Sequence, residues 1–232
     1  RFSVDAGTDQ LRRYGLQVAG QSGSLNYIID HSDFSTDGWR ANSAAKRQHT
    51  NAKLRWAPSQ DTKFTLVANV FDQPESGDPL GLTREQVEAD PRQAVTNSTL
   101  YRAGKEVSQN QLGLVAEHRL DDRSEVSARV YVGKRDLDNR LSIPLFAQRS
   151  PTAAGGIVQL DRRYSGTGLR WSRRIAAGEG EVRLTTGLDL ERMSERRRGF
   201  INNLGERGEL KREEDDSVDS TGAYVQADWV IS

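Results

Sequence analysis

Apolar and polar side chains take alternate places along most of this chain. From Thr62 to Asp72, Phe64, Leu66, Ala68 and Val70 fall on one face, with Lys63, Thr65 and Asn69 on the other; Val67 and Phe71 run against the trend. From Gln48 to Trp56, Thr50, Ala52, Leu54 and Trp56 oppose Asn51, Lys53 and Arg55. Gln109–Arg119 sets Leu112, Leu114 and Ala116 against Gln111, Glu117 and Arg119, and Glu125–Gly133 sets Val126, Ala128, Val130 and Val132 against Glu125, Ser127 and Arg129. In Glu181–Glu191 the contrast is sharpest, Val182, Leu184, Leu188 and Leu190 against Arg183, Asp189 and Glu191. Thr221–Val230 repeats it with Ala223, Val225, Ala227 and Trp229. Period two over so many segments predicts β-strands with one apolar and one charged face.

The breaks carry a second pattern. Tight turns are expected at Gln21–Ser24, Pro58–Asp61, Asp121–Arg123 and Ala176–Gly180, and longer polar connections near Thr36–Ala45, Gln73–Ala103, Ser142–Ile157 and Ile201–Asp216. Short and long connections that alternate are the mark of an up-and-down antiparallel barrel with turns on one rim and loops on the other. Strands of about ten residues suit a tilted membrane crossing. A soluble β-sandwich would also alternate, but a lipid-facing barrel better accommodates one fully charged face. The expected fold is therefore all-β: an antiparallel up-and-down transmembrane β-barrel segment of about ten strands, from Arg1–Ala6 to a last strand containing Ser232.

Composition narrows the function. The 232 residues hold 33 basic and 33 acidic side chains, so nothing draws the chain as a whole to nucleic acid. The absence of cysteine removes disulfides, Cys-ligated zinc and thiol chemistry. No apolar run reaches the ~18 residues of a membrane-spanning helix, and no signal-peptide pattern stands at Arg1.

Four arginines are candidate anion ligands, because guanidinium forks grip carboxylates and phosphates bidentately. Arg196 and Arg198 share one face at the outer part of a strand, with Arg197 on the other; Arg140 and Arg149 flank the Ser142–Ile157 connection. The competing reading is an ion-paired or lipopolysaccharide-facing collar, matched to the acidic run Glu213–Asp216. In the long Gln73–Ala103 connection, Thr83 and Gln86 form a capping box, and Asp90 before Pro91 ends the helix that follows. A helix over Arg84–Ala89 is predicted, as a ligand-gating loop or as a rim cover. His31, His49 and His118 have no metal-ligand spacing. No carboxylate pair, serine elbow or phosphate loop argues for catalysis, and neither a metal nor a cofactor is expected. The tryptophans and tyrosines read as interfacial girdle residues of a barrel.

Several stretches resemble one family. RRYGLQ (Arg12–Gln17), FSTDGWR (Phe34–Arg40) and NAKLRW (Asn51–Trp56) are similar to early barrel strands of TonB-dependent outer-membrane receptors. PLGLT (Pro79–Thr83), DPRQ (Asp90–Gln93), GGIVQLDRRYSG (Gly155–Gly166), GLDLERMSERRRGF (Gly187–Phe200) and GERGELKREED (Gly205–Asp215) resemble a subgroup associated with uptake of pyrroloquinoline quinone. The resemblance implies a plugged barrel of about 22 strands, of which these residues would form part, the plug and closing strands lying elsewhere. It further implies a Gram-negative outer-membrane location with lipid and lipopolysaccharide around it, no enzymatic chemistry, a small-molecule ligand such as the quinone or a ferric siderophore, and energy coupling through TonB–ExbB–ExbD.

Overall fold

Ten antiparallel strands, each hydrogen-bonded to the next in sequence, form the single sheet of the computed structural model, which describes residues 1–178 and 180–230. They are β1 (Phe2–Ala6), β2 (Arg12–Ser22), β3 (Leu25–Thr36), β4 (Ala45–Trp56), β5 (Thr62–Ser76), β6 (Gly104–Asp121), β7 (Ser124–Arg140), β8 (Ile157–Ala177), β9 (Gly180–Asn203) and β10 (Glu206–Val230). Helices α1 (Arg84–Ala89) and α2 (Thr96–Leu100) lie between β5 and β6, and α3 (Leu145–Gln148) between β7 and β8. The order β1 to β10 without crossovers is the expected up-and-down meander. The expectation that Ser232 lies within a strand falls outside the described residues.

The register turns the alternation into two continuous faces. One row across the sheet reads Trp56, Phe64, Ala116, Ala128, Leu169, Leu188, Ala223, and the next reads Leu54, Leu66, Leu114, Val130, Thr167, Leu190, Thr221. Among the described residues nothing covers this band: Val130 is 52% exposed and Leu169 55%. Apolar surface on that scale is stable only against another apolar medium. Trp56 stacks on Phe64 with ring centroids 5.5 Å apart, at the edge of the band nearest the short turns.

The opposite face is polar and internally paired. Lys63 meets Glu117 at 3.1 Å, and Arg162 Nε donates to Glu195 at 2.6 Å. Three side chains reach across a glycine on the intervening strand to a partner two strands away. Arg129 passes over Gly168 to Asp189 (3.0 Å), Tyr131 over Gly166 to Glu191 (2.7 Å), and Tyr164 over Gly133 to Gln111 (3.0 Å). A Cβ at Gly133 or Gly166 would collide with the tyrosine ring above it, so glycine is needed there for close approach.

Strand length grows along the chain, from 11 residues in β2 to 21, 24 and 25 in β8, β9 and β10. The alternation predicts shorter strands, because beyond the apolar band both faces carry charge, as in Lys134–Arg140, while the backbone ladder runs on. One expected long connection is absent for this reason. Instead of a loop over Ile201–Asp216, β9 and β10 continue to a two-residue turn at Leu204–Gly205, both with positive φ (53° and 94°). Trp39, read with the other tryptophans as a girdle residue, lies in the connection between β3 and β4.

Candidate ligand-binding site

At the rim where the long connections gather, loop segments dock on one another through buried polar contacts. Asn42, with φ of 53°, points its amide Nδ2 at the Ser98 hydroxyl (2.7 Å) and the Ala103 carbonyl (2.8 Å). Arg40 donates to the carbonyls of Leu80 (2.7 Å) and Gln93 (2.9 Å). The β3–β4 connection is thereby tied to the β5–β6 connection. Arg92 adds a hydrogen bond to the Trp39 carbonyl (2.9 Å) and an ion pair with Asp9.

The β5–β6 connection holds α1 where the capping box places it. The Thr83 hydroxyl accepts from the Gln86 N–H (3.3 Å), and the Gln86 side chain accepts from the Thr83 N–H (2.8 Å). Asp90, extended before Pro91, ends the helix. The Glu85 carboxyl in the first turn lies below the usual carboxylate range, held there first by its own backbone N–H and then by the Thr83 hydroxyl.

Helices α2 and α3 carry no comparable sequence signal; their N-caps, Val95 and Pro144, make no side-chain capping bond. Long-range contacts hold them. Ser98 of α2 and Gln148 of α3 are fully buried, and the Leu145 N–H of α3 donates to the Tyr101 hydroxyl at 3.1 Å. Asn202 at the tip of β9, also fully buried, donates from Nδ2 to the Tyr101 carbonyl (2.8 Å). Gly155, with φ of 94°, lets the β7–β8 connection lie against the Phe200 backbone, where a Cβ has no room.

A cavity of about 520 Å³ lies between the roots of these connections, lined by Leu80, Lys105, Asn139, Arg140, Leu141 and Ile143 among others. Its lining mixes Leu80, Leu141 and Ile143 with Asp78 and Asn139, and its two cations lie on opposite faces of the sheet, Lys105 with Asn139 on the polar face and Arg140 on the face that carries Val130 and Val132. Arg140 donates to Glu106 at 2.8 Å, and Lys105 makes no ion pair among the described residues.

The four arginines named from sequence are not brought together. Arg140 lines this cavity; Arg149 caps the end of α3 with its backbone N–H. Arg196 and Arg198 share a face, as expected, but that face is the one carrying Leu188 and Leu190, not the one carrying Asp189 and Glu191. With unbroken register between β8 and β9, parity carries from Leu188 to Arg198, so Arg196 and Arg198 stand on the apolar-band face and Arg197 on the polar face. Arg196 is engaged with Asp215 (3.0 Å) and Glu213 (3.9 Å) across the hairpin. Arg198 lines a separate cavity of about 340 Å³ beside Asp138 and Gln159. Each histidine bonds a side chain of the adjacent strand: His31 to Thr50, His118 to Thr62, His49 to Asn69. Lys105 was missed by sequence reasoning; its signal is a lysine at the second position of the strand that follows the longest connection.

No protein-family model matches the chain. Among solved structures, it is similar to the ferric citrate transporter FecA in its unliganded form (15% identity, TM-score 0.79), covering 97% of this chain and 33% of that one. It is similar to the siderophore receptor PiuA from Acinetobacter baumannii (12% identity, TM-score 0.71, 99% of this chain and 40% of that one). It is also similar to the copper transporter OprC (20% identity, TM-score 0.67, 98% of this chain and 34% of that one). The chain thus spans about a third of the length of the structures it matches. The ten-stranded antiparallel sheet has the fold of the barrel wall of these outer-membrane transporters and receptors.

Proposed function

We propose that these residues form wall and rim of a TonB-dependent outer-membrane receptor, which captures a scarce small ligand and passes it inward without covalent chemistry. The observation that supports this reading is the pairing of one uncovered apolar face with one charged, internally bonded face. Lipid on one side and a watery bore on the other satisfy both at once. On this reading a plug domain occupies the bore, and TonB–ExbB–ExbD moves it. The surrounding medium is outer-membrane lipid and lipopolysaccharide.

The rim cavity at Lys105 is the ligand site of this reading, with Arg140, held by Glu106, at its edge on the other face of the sheet. The Lys105 ammonium on the polar face suits a carboxylate of a compact ligand, with pyrroloquinoline quinone first and a ferric citrate or siderophore complex second. Arg149 on the adjoining helix is a further anion contact. Arg196 and Arg198 belong to a charged collar above the lipid band.

Calorimetric titration of the intact receptor with pyrroloquinoline quinone and with ferric citrate tests this. Lys105→Gln is expected to weaken the true ligand by about tenfold, in line with the loss of one charge-assisted contact. Unchanged affinity for both ligands would remove the site from consideration.

A further inference from the structure

Three rim connections, far apart along the chain, are bonded to one short segment of a fourth. That segment is Ser98–Ala103, the end of the β5–β6 connection. From the β3–β4 connection, Asn42 reaches the Ser98 hydroxyl and the Ala103 carbonyl. From the β7–β8 connection, the Leu145 N–H reaches the Tyr101 hydroxyl. From the β9–β10 hairpin, Asn202 reaches the Tyr101 carbonyl, and Glu206 pairs with Arg102 at 2.7 Å. Among the described residues no hydrogen bond joins the β3–β4 connection directly to the β7–β8 connection or to the β9–β10 hairpin; every bonded path between them runs through Ser98–Ala103.

The same segment is where the chain is packed. Among the described residues every buried apolar side chain (Tyr101, Ala103, Val107 and Ile157) lies in or just beneath this rim, with Ser98, Gln148 and Asn202 fully buried beside them. Buried polar groups are seldom left unpaired. Here their partners belong to different connections, Asn42 for Ser98, and Leu145 and Asn202 for Tyr101. A connection that lifted by itself would leave polar groups of its neighbour buried with neither partner nor water. That penalty disappears only when the neighbour opens as well.

We propose that these four rim connections open and close as one cooperative unit with Ser98–Ala103 as its keystone, so that a change at any one of them is passed to the others. A contiguous buried network with a shared opening is the physical form such coupling takes. Helix α1 stands outside the unit. None of its residues is buried, and its capping box satisfies its first turn locally. The device belongs to the rim itself and does not depend on which ligand, if any, the cavity at Lys105 takes.

Hydrogen exchange of the intact receptor in detergent, read by mass spectrometry, tests it. Ser98→Ala deletes the hydroxyl that Asn42 bonds, and Tyr101→Phe the one that Leu145 bonds. Ser98→Ala is expected to speed exchange about fivefold in residues 37–44 and equally in 143–149 and 200–206, with which Ser98 shares no hydrogen bond. Tyr101→Phe is expected to do the same in residues 37–44, with which Tyr101 shares none. Residues 121–124, at the far end of the sheet, keep their rate, and Thr83→Ala in the α1 cap alters residues 84–90 alone. Acceleration that spreads in this way supports the unit. Acceleration confined to the directly bonded connections in either folded variant, or none at all, overturns it. Should neither variant fold, the wild type decides: one denaturant dependence of exchange shared by the four connections supports the unit, and separate dependences overturn it.

Discussion

Gln148 and the backbone of Asn202 close a two-bond ring. The Gln148 side-chain oxygen accepts the Asn202 N–H at 2.7 Å, and its amide nitrogen donates to the Asn202 carbonyl at 3.2 Å. Both residues are fully buried. A side-chain amide here stands in for a neighbouring strand and satisfies the backbone at the tip of β9.

Replacing Gln148 with leucine keeps roughly the volume and takes the partner from three backbone groups, the Asn202 N–H and carbonyl and the Ile143 carbonyl, each costing about 1–3 kcal/mol when buried and unpaired. Amide exchange at residues 200–205 and in the β7–β8 connection is expected to quicken by at least tenfold. Exchange in the apolar band of β8 and β9 stays unchanged, which separates rim loosening from general unfolding.

The glycine crossings make a different kind of prediction. Gly166→Val drives a branched side chain into the Tyr131 ring, and overpacking of this kind costs about 1–3 kcal/mol. Pairing it with Tyr131→Ser is expected to recover much of that loss. A double-mutant cycle read from the thermal midpoint of the folded barrel measures the coupling.

The ion pairs are unequal. Arg196 and Asp215 are both mostly exposed, so Arg196→Gln is expected to cost less than about 1 kcal/mol. Glu195 has a side chain only 10% exposed, and Arg162→Gln leaves that carboxylate without its cation. A cost of about 2–4 kcal/mol is expected, below the fully buried case. Denaturant midpoints of the two variants rank them.

Helix α1 has a pH dependence with a definite sign. Glu85 titrates below its usual range in the folded state, so its contribution is full above the ordinary carboxylate range and fades as pH falls through the lowered value. Amide protection at Gln86–Ala89 is expected to drop on acidification. Thr83→Ala, which removes the N-cap bond at a cost of about 1 kcal/mol, lowers protection at neutral pH and flattens the remaining pH response.

What the sequence discloses depends on the range of the forces involved. The ten strands, their order and α1 are written locally, in alternation and in the Thr83–Gln86 box with Asp90-Pro91 behind it. Helix α3 and the tight Leu204–Gly205 turn depend on Gln148 meeting Asn202, 54 residues apart, which no local pattern announces. The face of Arg196 and Arg198 was available by counting in twos from Leu188 and Leu190, provided the register had no bulge, and between β8 and β9 it has none. The Tyr131 and Tyr164 crossings were foreshadowed by YVG at Tyr131–Gly133 and YSG at Tyr164–Gly166, spacings that acquire meaning only when the strands are laid side by side.

The lengthening of the strands gives the structure a high shoulder and a low one. At ~3.3 Å per residue, β10 outreaches β2 by about 45 Å along its own course. Within these ten strands the mouth is thus screened on the β8–β10 flank by a parapet of paired backbone, while the β2–β4 flank stays low. On the receptor reading, a solute arriving over the low side meets the knotted connections directly, whereas the tall flank stands between them and anything approaching from its own side.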